Sequence, residues 1–201
     1  MLQTFIMVVL VNIKTHVMLR FFFCLCLSIF STLGFAEGAH HVQVDLIIFT
    51  HAYTEKNQME TSAQPIPQDI QTAIPLQPRE VGAHGSYQLI ATSHSNLQSL
   101  WSRLNHHSQY QPLFHYTWIQ PAHNQKAVLL PANTSQGWTV QGTVRVRQSN
   151  YYLLDTALQF KALNSSASAF VLSQKMRLKP GNTYYLDHPQ GGMLINVHRV
   201  S

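Results

Sequence analysis

The stretch that decides the fold is Trp138–Phe160, WTVQGTVRVRQSNYYLLDTALQF. Its first half alternates: Trp138, Val140, Val144 and Val146 share one face, and Thr139, Gln141, Thr143, Arg145 and Arg147 share the other. Tyr151–Phe160 alternates in the same way, and period-two patterning over both halves predicts an antiparallel hairpin with one buried face. A three-residue loop, Gln148-Ser149-Asn150, pairs Val146 with Tyr152, Val144 with Leu154, Val140 with Leu158 and Trp138 with Phe160. A two-residue loop would set Val144 against Asp155, so the longer loop is preferred, with Asn150 in the left-handed position.

Outward from this hairpin the sheet continues. Phe170–Leu178 reads as a third strand, and pairing Phe160 with Phe170 brings Leu158 to Leu172, Leu154 to Met176 and Asp155 to Lys175. Apolar residues then meet apolar ones and opposite charges meet. Lys179-Pro180-Gly181-Asn182 is a turn, Thr183–Asp187 a returning strand, and Met193–Val200 the last strand. On the N-terminal side, His41–Thr50 (HVQVDLIIFT) is a strand whose second half is apolar on both faces, which places it centrally in a sheet. Asn96–His107 carries Leu97, Leu100, Trp101 and Leu104 as one apolar helical stripe, with Ser95 or Asn96 as N-cap. Tyr110–Gln120 is a further strand, with Pro112 marking an edge or a strand end, and Ala127–Leu130 is a short extended piece. Between His51 and Ser86 the pattern vanishes among Pro65, Pro67, Pro75 and Pro78, so about 51–86 is a long irregular insertion. The fold class is therefore α+β: a mostly antiparallel sheet with a C-terminal meander, one main amphipathic helix and the insertion.

The N-terminus differs from the rest. Arg20 precedes the apolar run Phe21–Phe30, and Gly34 and Ala36 form a small-x-small exit before Glu37. This is the pattern of a cleaved secretory signal over residues 1–36, with Met18 as an alternative start that would make residues 1–17 an upstream extension. The rival is a longer N-terminal anchor, since Phe5–Val11 is also apolar. The apolar run is too short to span a bilayer, so no membrane span is expected after cleavage. Cys24 and Cys26 both lie inside the signal, leaving a cysteine-free domain over residues 37–201. That suits a bacterial periplasm and removes disulfides, thiolate zinc sites and cysteine nucleophiles. Cleavage removes Lys14 and Arg20 from the 13 basic residues, leaving 11 against 8 acidic ones. A mild positive balance fits membrane headgroups or an acidic wall polymer, and export disfavours nucleic acid.

The candidate binding face is the outward side of the meander. Arg145, Arg147, Lys175, Arg177 and Lys179 gather there, with Tyr151 and Tyr184 among them. Guanidinium groups grip carboxylates in pairs and rings cover the apolar faces of sugars, so this set suits an anionic glycan polymer. The competing reading is a solvated sheet face whose charges serve solubility alone. Asp187-His188-Pro189 has the look of a catalytic or metal pair, but it closes a strand connection and no nucleophile accompanies it; a structural turn is expected. No G-x-S-x-G elbow, phosphate loop or pair of catalytic carboxylates is present, and the 11 histidines left after cleavage form no H-x-H or H-x-x-E-H spacing. No cofactor or metal is called for.

The order of pieces carries a resemblance. A V-D-L-I-I-F strand, a variable insertion, LWSRLNHHSQYQPLFHYTWIQP, then GTVRVR followed by YYLLD, and finally SQKMRLKPGNTYYLDHP, together resemble the CsiV family of bacterial periplasmic proteins over about Val42–Val200. The resemblance implies a peptidoglycan-binding, non-enzymatic accessory factor in the periplasm of a Gram-negative bacterium. It also implies a penicillin-binding protein and that synthase's outer-membrane lipoprotein activator as partners. One departure is visible: Gln190-Gly191-Gly192 follows the D-H-P, where the family is expected to carry a bulky apolar residue before a single glycine. Two other readings stay open, a histidine-based metal protein or hydrolase and a purely protein-binding adaptor.

Overall fold

A computed structural model describes residues 40–52, 71–78, 87–163 and 169–200 of the chain. The expected signal segment, residues 1–36, lies outside the described residues, as do 53–70 and 79–86 of the expected insertion. The described strands, in chain order, are β1 His41–His51, β2 Ile74–Pro75, β3 Gln77–Pro78, β4 Gln88–Leu89, β5 Tyr110–Pro121, β6 Val128–Leu129, β7 Asn133–Ser135, β8 Trp138–Gln148, β9 Tyr152–Ala162, β10 Phe170–Leu178, β11 Thr183–His188 and β12 Gly191–Val200. Among the described residues one α-helix, α1, covers Gln98–Asn105.

The strands form two sheets. Sheet A has the order β11-β12-β1-β5-β4-β3, and sheet B the order β10-β9-β8-β6-β2, with β7 also paired to β8. The main core lies between them, where Val44, Leu46 and Trp118 of sheet A meet Val144, Leu158 and Phe160 of sheet B. A second core sits on the other face of sheet A, where Leu97 and the helical stripe Leu100, Trp101 and Leu104 pack on Ile47 and Phe49. This is why the second half of β1 is apolar on both faces: it is covered by sheet B on one side and by α1 on the other.

The expected single meander is therefore corrected. β8, β9 and β10 run as a meander in sheet B, but the chain crosses at Lys179–Asn182 and β11 and β12 join sheet A beside β1. β12 pairs with β1 over ten residues, from His41↔Val200 to Thr50↔Gly191. Alternation reports which face a residue takes and is silent on which strand its neighbour is.

The hairpin register also shifts. Its loop is Ser149-Asn150-Tyr151, and the ladder sets Val146 against Leu154, Arg145 against Asp155 and Val140 against Phe160. The displacement from the expected pairing is two residues, so each side chain keeps its face while partners change. What the observed register gains is a cross-strand ion pair at Arg145–Asp155. Asn150 is not left-handed: among the described non-glycine residues positive φ occurs at Gln136 alone, which with Gly137 forms the tight turn between β7 and β8. The β9–β10 register is Phe160↔Phe170, Leu158↔Leu172, Asp155↔Lys175 and Leu154↔Met176.

Two further details come from local chemistry. Within the expected insertion, Ile74–Pro75 lies parallel to β6 and Gln77–Pro78 parallel to β4, and the intervening Leu76 is buried in the main core. Both pieces sit on sheet edges, where a proline without an N–H costs no ladder bond. Trp118 and Gln120 of the W-x-Q-P ending tie the sheets together, since Trp118 Nε1 donates to Gln120 Oε1 (2.9 Å) and Gln120 Nε2 donates to the Val146 carbonyl of sheet B (2.9 Å).

Candidate functional site

The strand pleat puts the odd-numbered residues of β8, β9 and β10 on the outer face of sheet B, away from the core. Two cross-strand rows carry the charge. In one, Arg145, Asp155 and Lys175 are neighbours; in the other, Leu153 lies between Arg147 and Arg177. Arg145 Nη2 contacts Asp155 Oδ2 at 2.5 Å and Lys175 Nζ stands 3.6 Å from the same oxygen. Arg145 is thus committed to a neighbour, whereas the Lys175 side chain is 79% exposed and reaches water. Arg177 is exposed and its guanidinium lies 4.4 Å from the centre of the Tyr151 ring, within cation–π range. The register places Tyr151 in the hairpin loop, directly beyond the Arg147–Leu153–Arg177 row.

The structure therefore brings together Arg145, Arg147, Tyr151, Lys175 and Arg177 of the expected site. It does not bring Tyr184 there. Tyr184 belongs to β11 of sheet A, is packed partly buried against the main core, and its Oη accepts the Lys179 N–H at 2.8 Å. The error follows from the sheet crossover, which alternation did not reveal. With four cations around one carboxylate, the face favours anions. The helix packs on sheet A, so no described helix covers this surface.

Asp187, His188 and Pro189 end β11 at a two-residue connection to β12, with His188 opposite Gly191. Asp187 and His188 point to opposite faces of the strand. His188 stacks on Phe170 in the core (4.4 Å, 9°) and accepts the Gln190 N–H through Nδ1 at 3.2 Å. Burial holds its pKa below the usual histidine value, with Asp187 pulling the other way. Asp187 Oδ1 accepts from Tyr185 Oη on the far side, at 2.5 Å. The two side chains therefore do not face one another as a dyad would. The adjacent glycines serve close packing within β12: a Cβ at Gly191 would fall 2.6 Å from the Phe49 carbonyl oxygen, and one at Gly192 2.6 Å from that of Leu186.

Sequence reasoning missed a polar cluster under the helix. Asp45 is fully buried; its Oδ1 accepts from Gln43 Nε2 and its Oδ2 from the Asn96 N–H, each at 2.9 Å, and His198 Nδ1 stands 3.9 Å away. A carboxylate inside an apolar central strand has to find such partners, and that was the available signal. It anchors the chain entering α1. Helix capping differs accordingly: Leu97 is the N-cap, and Ser95 Oγ accepts its N–H at 3.1 Å. Ser95 Oγ also lies 2.9 Å from His115 Nε2, and burial lowers the pKa of His115. Because Asp45 is bonded to Gln43 and Asn96 and not to that imidazole, this is no Ser-His-Asp relay. Among the described residues no three or more His, Cys, Asp or Glu side chains gather as a metal site requires.

The described residues thus form a two-sheet sandwich with a helix on one side and a cation-rich, tyrosine-bearing sheet surface on the other. The chain belongs to the CsiV family, described as "Peptidoglycan-binding protein, CsiV", whose model matches residues 19–200. No curated protein and no solved structure matches it. A peptidoglycan-binding family implies a cell-wall compartment, and no described helix is long and apolar enough to cross a membrane.

Proposed function

We propose that this chain is a non-catalytic periplasmic protein that holds peptidoglycan on the outer face of sheet B and supports wall synthesis through a penicillin-binding protein and its lipoprotein activator. The observation that carries the placement is the Arg147–Leu153–Arg177 row with Tyr151 at its end. Two guanidinium groups flanking an apolar residue and a ring match a polymer in which stem-peptide carboxylates alternate with sugar faces. Arg145 is reassigned from ligand contact to holding Asp155. Export on a signal over residues 1–36, and a mature single domain over 37–201, belong to the same reading.

The test is co-sedimentation of the purified protein with peptidoglycan sacculi at low and high salt. Salt-sensitive pelleting is expected, and the Arg147→Ala/Arg177→Ala double variant should pellet less while melting at the same temperature. Unchanged pelleting of the double variant removes the site from this face. No pelleting of the wild type removes wall binding itself and leaves a protein-only adaptor.

A further inference from the structure

The helix side of sheet A carries a second surface with ligand chemistry. Phe49 lies at its centre. The Tyr185 ring is stacked on it (5.9 Å, 17°), Tyr110 meets it edge-on (5.4 Å, 89°), and His51 stands at 6.1 Å. His107, from the end of the helical segment, adjoins Tyr110 at 5.3 Å. The ladder sets Gly192 between Phe49 and Asp187. A Cβ on Gly192 would stand 3.0 Å from both Phe49 Cζ and Tyr185 Cε2. The bare glycine is what lets the two rings meet over β12. Tyr185 is thereby held from beneath, yet it is 49% exposed.

The rim of this ring is polar. Asp187 is exposed; its Oδ1 accepts a hydrogen bond from the Tyr185 hydroxyl, and its Oδ2 has no partner among the described residues. His51 Nδ1 lies 3.0 Å from the Pro189 carbonyl oxygen, so Nδ1 is the donor there.

We propose that Tyr185 and Asp187 form a subsite for a neutral sugar ring, separate from the cationic face of sheet B. A tyrosine face is electron-rich and attracts the polarised C–H bonds on the flat side of a pyranose. The carboxylate beside it accepts sugar hydroxyls. An acidic ligand would be repelled by Asp187. A purely apolar side chain would leave its lone pairs unused. An organic cation would need rings around it, whereas these rings stack beneath one another and offer a single face. The choice of an N-acetylated sugar as ligand rests on the peptidoglycan reading; the platform itself does not.

The experiment is titration of the full protein with tetra-N-acetylchitotetraose, an uncharged oligosaccharide without peptide, followed by calorimetry and by the tyrosine ring signals in NMR. The wild type should bind, with little dependence on salt. Tyr185→Ala should weaken binding about tenfold, the scale of one lost ring contact. Tyr185→Phe should retain most of it, and Asp187→Asn should weaken it by about threefold, the scale of one weakened hydrogen bond. Arg147→Ala/Arg177→Ala should leave it unchanged. Absence of binding by the wild type overturns the subsite, as does equal binding by Tyr185→Ala. Binding of tetramethylammonium at Tyr185 in place of the sugar overturns it too. If sacculi pellet while the oligosaccharide does not bind, the subsite falls and the wall-binding reading stands; if the oligosaccharide binds while Arg147→Ala/Arg177→Ala pellets with sacculi like the wild type, the cationic face alone is removed.

Discussion

Asp155 is the lever that separates a binding face from a merely soluble one. It is the carboxylate within the cationic cluster, bonded to Arg145 at 2.5 Å and 3.6 Å from Lys175. Replacing it with Asn keeps the shape and removes the charge. The Arg145–Asp155 side chains are 24% and 20% exposed, so the pair lies between a surface bridge and a buried one. Exposed pairs contribute about 0–1 kcal/mol and charged hydrogen bonds about 1.5–3 kcal/mol, and an amide still accepts from Arg145; a loss of about 1 kcal/mol follows. In a domain of this size that lowers Tm by about 2–4 °C. Binding should move the other way. A ligand carboxylate about 6 Å from Asp155 suffers a repulsion of ~0.7 kcal/mol in water, which physiological salt reduces to about half. Asp155→Asn should therefore bind sacculi about threefold tighter at low salt and about twofold tighter at physiological salt. Parallel sedimentation isotherms and thermal melts read both effects. A variant that melts lower but binds no better, or binds worse, would refute the claim that this face meets the anionic polymer.

Other consequences are structural. Gly142→Ala should prevent the β8–β9 hairpin from closing, because the new Cβ would lie 2.1 Å from the Ala157 carbonyl oxygen; loss of cooperative melting checks this. Gln120→Leu orphans the buried Trp118 Nε1 and should cost about 2–3 kcal/mol in urea unfolding, with no direct effect on the cationic face. His115 and His188 both have pKa values held below 6.5 by burial, so the fold prefers them neutral. Their stabilisation is complete above the unfolded pKa and is lost as pH falls below it, so Tm should drop between about pH 7 and pH 5. His188→Phe, which keeps a ring against Phe170, should flatten that drop; an unchanged slope would exclude His188 as a contributor.

Which parts of this molecule were readable from sequence follows from what each pattern encodes. The β9–β10 register was legible because Asp155 against Lys175 and Phe160 against Phe170 satisfied charge and packing at one alignment. The hairpin before it was legible in its faces and not in its register, since a shift of two residues preserves the former. The division into two sheets was not legible. Thr183–His188 and Gly191–Val200 alternate equally well beside β10 or beside β1, and only the pairing of the two chain ends decides it. That one ambiguity removed Tyr184 from the cationic face. Asp45 and Gly192 gave signals of another kind, a charge inside an apolar strand and a glycine inside a strand. Each marks a close partner whose identity lies far along the chain.

Gly192 stands where the expected family pattern has its single glycine, and it shapes the proposed sugar platform. A bulky residue there would meet the Leu186 carbonyl oxygen and both rings, so Tyr185 could not lie over Phe49. The glycine weakens β12 in exchange for a flat, exposed ring. At Gly191 the constraint is different, because a side chain would strike the Phe49 backbone and the Phe170 ring on the core side. The two glycines thus fit opposite faces of one strand: Gly191 closes the core at the end of the sandwich, and Gly192 opens the platform. Gly191→Ala should therefore lower stability by pushing β12 from β1. Gly192→Ala should in addition tilt Tyr185 and weaken oligosaccharide binding beyond what its own loss of stability explains. Comparing the two alanine variants at matched fractions of folded protein separates packing from recognition. Equal oligosaccharide affinity in both would show that the ring geometry at Gly192 has no part in binding.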